Sequence, residues 1–280
     1  KQVAGALQLS AGQDAGTEAA VHAMYDIYSE ETTEAELLID AENAFNSINR
    51  KVMLHNMNFL CPSVSNYISN CYARPARLFI IGGGEILSKE GTTQGDPTSM
   101  GVYALGILPL LHSLLDIIIA NEFFAKEVAF ADDLTVTGNL YDIRKYWDKL
   151  TSIGPDYGYF PKASKSYLIV KNEFINDANL IFADSNVKIT IEGKRHLGAV
   201  IGSVDYKNKY VEDLVNGWTS QLNILSKIAE NQPQAAYSAF VSGFKGKLNY
   251  FMRTIPNINH LLTPLEETIR YKFIPAITGG

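Results

Sequence analysis

Residues 127–138 read Glu-Val-Ala-Phe-Ala-Asp-Asp-Leu-Thr-Val-Thr-Gly, and this stretch decides the fold. Apolar and β-branched residues on both sides of the paired aspartates predict two short strands joined by a tight turn. Such a hairpin holds Asp132 and Asp133 at its tip, where like charges repel each other unless a cation neutralises them. Hard carboxylate oxygens at one point suit Mg²⁺. The alternative is a solvated turn, because aspartate is also a common turn residue.

A second apolar run, residues 36–39, leads directly into another aspartate, Asp40. This carboxylate is either a strand-end group in water or a ligand directed into a site. Together with Asp132 and Asp133, it supplies the third carboxylate of a two-metal site for phosphoryl transfer. In such sites two Mg²⁺ ions about 3.5–4 Å apart activate the attacking oxygen and stabilise the leaving one.

The composition is that of a globular protein with a sizeable core, since 46% of the 280 residues are hydrophobic and 19% are charged. We expect no membrane association, because the apolar runs fall short of the ~20 residues of a membrane span. Cys61 and Cys71 lack metal-ligand spacing and are expected to be free thiols of an intracellular protein, nuclear or cytoplasmic. A start at Lys1 without a signal-peptide pattern indicates a piece of a longer reading frame.

The net charge of −6 argues against a nucleic-acid enzyme, but the charge is unevenly distributed. Residues 206–280 contain eight basic and five acidic side chains, whereas residues 1–205 contain 16 basic and 25 acidic ones. A basic C-terminal part fits a region that grips the phosphate backbone of a duplex. The acidic remainder fits a part that carries a carboxylate site.

Apolar periodicity and turn residues predict a mainly helical chain with several short strands. The predicted helices cover residues 13–29, 49–60, 62–72, 99–120 and 141–157, and helices resume from residue 210. The predicted strands beyond those already described cover residues 77–81, 85–88 and 166–170, with short β runs within 178–201.

Five segments resemble, in the family's order, motifs A to E of reverse transcriptases. They are Asp40 with Phe45, residues 91–99 (Gly-Thr-Thr-Gln-Gly-Asp-Pro-Thr-Ser), residues 130–133, residues 157–165 (Tyr-Gly-Tyr-Phe-Pro-Lys-Ala-Ser-Lys) and residues 196–198 (His-Leu-Gly). Residues 12–20 resemble the end of the fingers motif that leads into the palm. The pattern is similar to that of eukaryotic retroelements without long terminal repeats, or of the tyrosine-recombinase type.

The resemblance implies an α+β fold, with a right-hand palm built from an antiparallel sheet and packed helices, a helical thumb, and most of the fingers outside this sequence. The implied domains are the end of the fingers with a lead-in helix (1–35), the palm with motifs A to E (36–205) and a thumb-like region (206–280). The implied function is that of an RNA-directed DNA polymerase of a retrotransposon, possessing little or no activity as an isolated fragment. Its partners would be an RNA template, a DNA primer and a dNTP. The sequence leaves the oligomeric state of the protein open.

The resemblance also assigns roles to individual residues. Asp40 and Asp132 would bridge two Mg²⁺ ions, which Mn²⁺ could replace, while Asp133 would be more peripheral. Lys165 would stabilise charge on the departing pyrophosphate. The implied nucleotide-binding residues are Ala41, Phe45, Gln94 and Gly95, and the implied primer grip is Leu197 and Gly198.

Alternatives stay open for two of these site assignments and for the function. Phe45 is either a steric gate against the 2′-hydroxyl of an rNTP or a core aromatic, and residues 94–97 are also compatible with an ordinary turn before a helix. A palm of an RNA-dependent RNA polymerase is disfavoured by two residues. Those enzymes generally carry a polar group near the position of Phe45, and they usually have Gly-Asp-Asp where this chain has Ala131-Asp132-Asp133. For the function, a decayed palm that binds nucleic acid without synthesis is the third interpretation, after the two polymerases.

Overall fold

A computed structural model describes residues 4–5 and 7–279; residues 1–3 and 6 of the predicted lead-in segment and Gly280 lie outside the described part. The chain divides between Thr190 and Ile191 into a mixed first unit and a second unit that is mostly helical. The boundary predicted after residue 205 falls inside the second unit, because a hairpin at residues 193–202 packs on the helix that follows it.

The first unit contains seven α-helices among its described residues. They are α1 (Gly16–Ser29), α2 (Ala44–Ser47), α3 (Arg50–Leu60), α4 (Pro62–Tyr72), α5 (Ser99–Ala120), α6 (Leu140–Ile153) and α7 (Ile175–Ile181). Short 3-10 turns follow at Gly154–Tyr157, Ala163–Lys165 and Asn172–Phe174. Side chains set several of the starts: Asn49 accepts hydrogen bonds from two backbone N–H groups of α3, and Pro62 stands at the first turn of α4.

The strands of the first unit form a five-stranded sheet and a separate hairpin. The strands are β1 (Ala35–Ile39), β2 (Ala76–Ile80), β3 (Gly84–Ser88), β4 (Ala125–Phe130), β5 (Asp133–Gly138), β6 (Tyr167–Val170) and β7 (Lys188–Thr190). The large sheet has the order β4-β5-β1-β6-β7 and is antiparallel except for the β6–β7 pair, while β2 and β3 form the hairpin.

Alternation along the central strands separates two faces of the sheet. Leu37 and Ile39 of β1 and Leu134 and Val136 of β5 point into the hydrophobic core, together with buried side chains of α5 and α6. The opposite face carries Glu36, Thr135 and Thr137, all buried, and helix α1 packs on β4 and β5. The sheet is therefore covered over much of both faces, and its open end is where β1 stops and β5 begins.

Helix α5 is the central helix of this core. It is long and apolar enough to cross a membrane, with a mean hydropathy of 2.0 over 18 residues, so the expectation that no segment reaches that length was wrong. Within that window 56% of the residues are buried inside the protein, including Leu110, Leu111 and Leu114. The core helix of a globular unit satisfies the same criteria of length and composition.

The second unit consists of a hairpin and a set of helices. Strands β8 (Gly193–His196) and β9 (Ala199–Gly202) precede α8 (Val204–Ala229), α9 (Pro233–Ala239), α10 (Lys245–Thr254), α11 (Thr263–Thr268) and α12 (Ile274–Thr278), with a 3-10 turn at Asn259–Leu261 and π-helical turns at Phe240–Phe244 and Ile269–Phe273. Trp218 makes edge contacts with Phe244 and Phe251, at centroid distances of 6.0 and 4.9 Å. These aromatic contacts hold α8 against the helices that follow it.

Two predicted elements differ from the structure. Residues 178–181 were expected within a β region but lie in α7, because Phe174, Ala178 and Phe182 recur at a helical spacing and pack into the core. The helix predicted to reach residue 157 ends at Ile153, where Gly154 and Pro155 begin a 3-10 turn.

Candidate active site

The strand register places the three predicted carboxylates at the same end of the sheet. Strands β1 and β5 are antiparallel neighbours, and Ile39 lies opposite Leu134. Continuing this register by one residue brings Asp40 opposite Asp133. Asp40 comes directly after the core-facing Ile39, and Asp133 comes directly before the core-facing Leu134. Alternation therefore directs both aspartates away from the core toward the same face. Asp132 is in the turn that immediately precedes Asp133.

The β4–β5 turn has an unusual backbone. Phe130 pairs with Asp133, so Ala131 and Asp132 alone form the connection, and Ala131 has a φ of 56°. A left-handed conformation is unfavourable for a residue with a Cβ and persists only where the surroundings maintain it. The side chain of Gln8 hydrogen bonds to both backbone groups of Ala131, and the buried Tyr159 donates its hydroxyl to the carbonyl of Asp132 at 2.9 Å. The turn is therefore held from two sides.

Burial and mutual repulsion perturb the carboxylates of this turn. The pKa of Asp133 is raised to about 6, first by burial and then by the charges of Asp132 and Asp40. The pKa of Asp132 is also raised, again first by burial, with a further contribution from Asp40. The three acids therefore share one electrostatic environment in which negative charge is in excess.

This donor set has the chemistry of a site for Mg²⁺, since three carboxylates are concentrated where added positive charge would relieve repulsion. In the described part of the chain, however, no three His, Cys, Asp or Glu side chains are gathered closely enough to enclose a metal ion by themselves. The residues fit a site that is completed by other oxygen atoms, such as those of a phosphate or water, rather than a closed protein cage.

Lys165 lies beside the first of these acids. Its Nζ is 4.0 Å from Oδ1 of Asp40, and both side chains are well exposed. The segment before it is tied to the same strand end, because Lys162 donates its backbone N–H to the carbonyl of Asp40 at 2.7 Å and Ala41 forms a bridge with Pro161. The structure thus places Lys165 next to Asp40, and its assignment to the leaving group stays a prediction.

The predicted gate residue, Phe45, is half-buried and stacks on the buried ring of Tyr103. Burial, together with the charges of Asp132 and Asp133, raises the pKa of the Tyr103 hydroxyl. Within the described ranges this hydroxyl has no hydrogen-bond partner. The half-buried ring of Phe45 therefore packs on a buried tyrosine that lies within the electrostatic influence of the acidic turn.

The segment 91–99 is fastened to this same region. Arg50 is almost completely buried and donates to the carbonyls of Gly91 and Ser88, both at 2.8 Å, and Thr92 donates its backbone N–H to the carbonyl of Phe45 at 2.6 Å. Gln94 and Gly95 are exposed beyond this anchor. The segment therefore presents its central residues to solvent while its start is rigidly attached.

Gly95 and Asp96 have different functions in this loop. Gly95 has a φ of 92°, and a Cβ at this position would meet open space. Glycine is therefore favoured here by the backbone conformation and not by crowding. Asp96 accepts hydrogen bonds from Tyr72 and from the backbone and side chain of Thr98, which lower its pKa. It thus caps the turn before α5.

The predicted primer grip belongs to the second unit. Leu197 and Gly198 form the two-residue turn between β8 and β9, with φ values of 47° and 79°. Positive φ at both turn residues is typical of the two-residue turns that connect the strands of a tight hairpin. The hydroxyl of Tyr250 in α10 donates to the carbonyl of Leu197, and a Cβ on Gly198 would lie 3.1 Å from the Tyr250 ring.

The chain is similar to solved structures but to no family model and no curated protein. Among solved structures, the telomerase from Candida albicans in complex with the TWJ fragment of telomeric RNA is similar over 99% of this chain and 51% of its own, with 12% identity and a TM-score of 0.51. The corresponding Candida tropicalis telomerase is similar over 94% of this chain and 51% of its own, with 11% identity and a TM-score of 0.50.

The chain thus spans about half the length of the telomerase chains that it matches. At this level of identity the likeness concerns the fold alone. It agrees with the sheet of the first unit and the helices of the second. The chain has a reverse-transcriptase-like fold of the α+β class, with a palm-like unit and a helical thumb-like unit.

Proposed function

We propose that this chain is the catalytic part of an RNA-directed DNA polymerase encoded by a retroelement. The observation that supports this most directly is the arrangement of Asp40, Asp132 and Asp133 at one end of a sheet whose fold is reverse-transcriptase-like. The order of the five motif-like segments supports the same activity. RNA as the template agrees with the telomerase structures, which contain an RNA fragment.

In the proposed reaction a primer 3′-hydroxyl attacks the α-phosphate of a dNTP, and pyrophosphate leaves. Two Mg²⁺ ions, when bound, would supply the charge that lowers the pKa of the hydroxyl and stabilises the leaving oxygen. Asp40 and Asp132 would hold them, with Asp133 beside them. The chain's own contribution is mainly the positioning of reactants, since this chemistry needs little covalent participation by protein groups.

Lys165 would act on the leaving group. Its exposed ammonium, 4.0 Å from Asp40, is close enough to the carboxylates to reach a phosphate bound there and to donate a proton or stabilise charge. Gln94 and Gly95 would contact the nucleotide or the templating base from the exposed loop. Phe45 would lie under the sugar, and the Leu197–Gly198 turn would contact the primer.

Primer extension tests the proposal. The full-length protein in its natural reading frame, and this 280-residue chain, would be given an RNA template, a DNA primer, dNTPs and Mg²⁺. We expect extension that Asp132→Asn lowers by several orders of magnitude, because one ligand charge is lost. Asp116→Asn, an exposed change on α5, is the matched control and should leave the rate unchanged. Near wild-type extension by Asp132→Asn would contradict the proposed site.

A second function, nucleic-acid binding without synthesis, is compatible with one observation: within residues 4–5 and 7–279 no three acidic, His or Cys side chains lie close enough to enclose a metal ion by themselves. The two functions predict different results in the same experiment. A binding protein would retain the template–primer duplex but extend no primer with either Mg²⁺ or Mn²⁺, and Asp132→Asn would not weaken its binding. A polymerase extends the primer and loses that activity with the substitution.

A further inference from the structure

The side chain of Gln8 lies against the turn that carries the two adjacent aspartates. Its Oε1 accepts a hydrogen bond from the backbone N–H of Ala131 at 2.7 Å, and its Nε2 donates to the carbonyl of the same residue at 2.9 Å. Gln8 is completely buried, although 123 residues separate it from Ala131 in sequence. A carboxamide can donate and accept hydrogen bonds at the same time. The Gln8 side chain therefore bonds to Ala131 as the peptide group of a neighbouring strand would.

The surroundings of Gln8 orient this carboxamide. Its Oε1 also accepts from the hydroxyl of Ser10 at 2.8 Å and from the Ser10 backbone at 3.3 Å. The next residue, Leu9, donates its backbone N–H to the carbonyl of Ala129 at 2.9 Å. Residues 8–10 therefore lie along the edge of β4, and the additional bonds hold the Gln8 amide in the orientation that meets the turn.

Ala131, the residue to which Gln8 is hydrogen bonded, has a strained backbone conformation. Ala131 is buried and has a φ of 56°, a conformation that an alanine leaves unless its backbone groups are fixed. A change of φ at this residue rotates the chain that follows it, and Asp132 and Asp133 are the next two residues. The direction of both carboxylates therefore depends on the Ala131 conformation, which Gln8 maintains.

We propose that Gln8 is a positioning residue, which sets the orientation of Asp132 and Asp133 through the backbone of Ala131. The catalytic part of this inference rests on the proposed polymerase function, whereas the contact itself does not. A role confined to fold stability would predict lower stability but unchanged metal use by the folded protein. A positioning role predicts altered metal use at equal folding.

The test compares three variants of the full-length protein. Gln8→Leu removes both hydrogen bonds to Ala131 with little change in volume. Gln13→Leu is the matched control, because Gln13 lies in the same segment and its Nε2 donates to a different backbone carbonyl, that of Gly5, at 2.6 Å. The double variant Gln8→Leu/Ala131→Gly places at the turn a residue that adopts positive φ without strain.

The expected results separate positioning from stability. In Gln8→Leu, the Mg²⁺ concentration for half-maximal extension should rise about tenfold and kcat should fall by a similar factor, with KM for the template–primer duplex within about twofold. The double variant should recover part of the lost kcat, because glycine tolerates the turn. Gln13→Leu should match the wild type. Equal Mg²⁺ dependence in folded Gln8→Leu and Gln13→Leu would overturn the proposal.

Amide hydrogen exchange provides a readout that does not depend on activity. In Gln8→Leu the amide of Ala131 should lose protection, while the amide of Leu134 in β5 stays protected. Unchanged protection of Ala131 would overturn the proposal even in an inactive protein, whereas absent extension by the wild type would instead contradict the polymerase function. If Gln8→Leu does not fold, Gln8→Glu keeps the acceptor and loses the donor, and the same readouts apply.

Discussion

The ring of Phe45 lies on the ring of Tyr103, with centroids 4.4 Å apart and planes inclined by 26°. Tyr103 is buried in α5, so it fixes the plane of the more exposed ring from behind. The two stacked rings therefore form a rigid surface, and its buried member lies within the electrostatic influence of Asp132 and Asp133. A rigid aromatic surface can exclude a hydroxyl group by shape, which a flexible side chain cannot do.

We predict that Phe45→Ala raises the incorporation of rNTPs relative to dNTPs, because removal of the ring removes the overlap with a 2′-hydroxyl. Steady-state incorporation of both nucleotide classes by the folded variant measures this ratio. Loss of packing should also lower the free energy of unfolding by less than the ~3–5 kcal/mol typical of a fully buried Phe, since the ring is only partly buried.

Tyr103→Phe is the control for this prediction, because it keeps the stacked ring and removes only the hydroxyl. It should leave sugar selection unchanged. If Phe45→Ala lost both nucleotide classes together without a change in their ratio, Phe45 would be a packing residue and the alternative of an RNA polymerase would be open again.

Glu36 gives a prediction about stability and pH. Complete burial in the middle of β1 raises its pKa to about 8, and Thr137 on the neighbouring strand offsets part of that shift. Between pH values of about 4.5 and about 8, the Glu36 carboxyl is therefore protonated in the folded protein and ionised in the unfolded chain. The free energy of unfolding should therefore fall as pH rises through this window, by up to about 1.4 kcal/mol per pH unit from this group.

Glu36→Gln should remove this contribution, because the amide cannot ionise. We expect the variant to be more stable than the wild type at pH 8 and to differ less from it at pH 5, as measured by urea unfolding at several pH values. Tyr28, whose own pKa is raised by burial and by Glu36, titrates far above this range and does not interfere. A parallel pH dependence in both proteins would contradict the assignment.

Arg50 should be important for the structure of the segment that contains Gln94 and Gly95. Its buried guanidinium makes three hydrogen bonds, two to carbonyls and one to the hydroxyl of Ser88. Lysine cannot reproduce this planar set of donors, so Arg50→Lys should lower the free energy of unfolding by about 2 kcal/mol or more. Arg77→Lys, in an exposed ion pair with Glu85, is the control and should change stability by about 0.5 kcal/mol at most.

Chemical denaturation of both variants measures the two effects. Equal stability of Arg50→Lys and Arg77→Lys would show that the buried hydrogen bonds are replaced, for example by water. A loss confined to Arg50→Lys, accompanied by faster proteolysis between residues 88 and 96, would support the anchoring role.

Opposite effects are expected from two glycine-to-alanine substitutions in the second unit. Gly198 has a positive φ, and a Cβ would press on the Tyr250 ring, so Gly198→Ala should destabilise by about 1 kcal/mol or more. Gly217 lies within α8 with open space around it, so Gly217→Ala should stabilise by up to about 1 kcal/mol. Thermal unfolding of both variants checks the sign, and destabilisation by Gly217→Ala would contradict the exposed helical position.

The fold class was predictable because its main signals are local. Alternation at 127–138 and the short run before Asp40 identify the strands, and the periodicity at 99–120 identifies the central helix, so the reverse-transcriptase-like fold was confirmed. The assignments to catalysis and metal binding stay predictions, which the experiments above address.

Other features have no local signal. Gln8 is an ordinary polar residue whose partner is distant in sequence, and only the folded chain brings the two together. A polar residue in a strand normally faces water, yet Glu36 is completely buried and Glu127 is partly buried, where it accepts a hydrogen bond from Tyr146. Tyr159 lies within the segment that resembles motif D, but nothing in the sequence indicated that its hydroxyl would hold the carbonyl of Asp132.

The contact between Leu9 and Ala129 has a consequence for the solution behaviour of shorter forms of this protein. Strand β4 is the outer strand of the large sheet, and this hydrogen bond occupies part of its free edge. Outer strands with unpaired backbone groups recruit strands from other molecules and lead to aggregation. A chain that begins after residue 12 would expose this edge, so we expect it to self-associate even if the core of its first unit still folds.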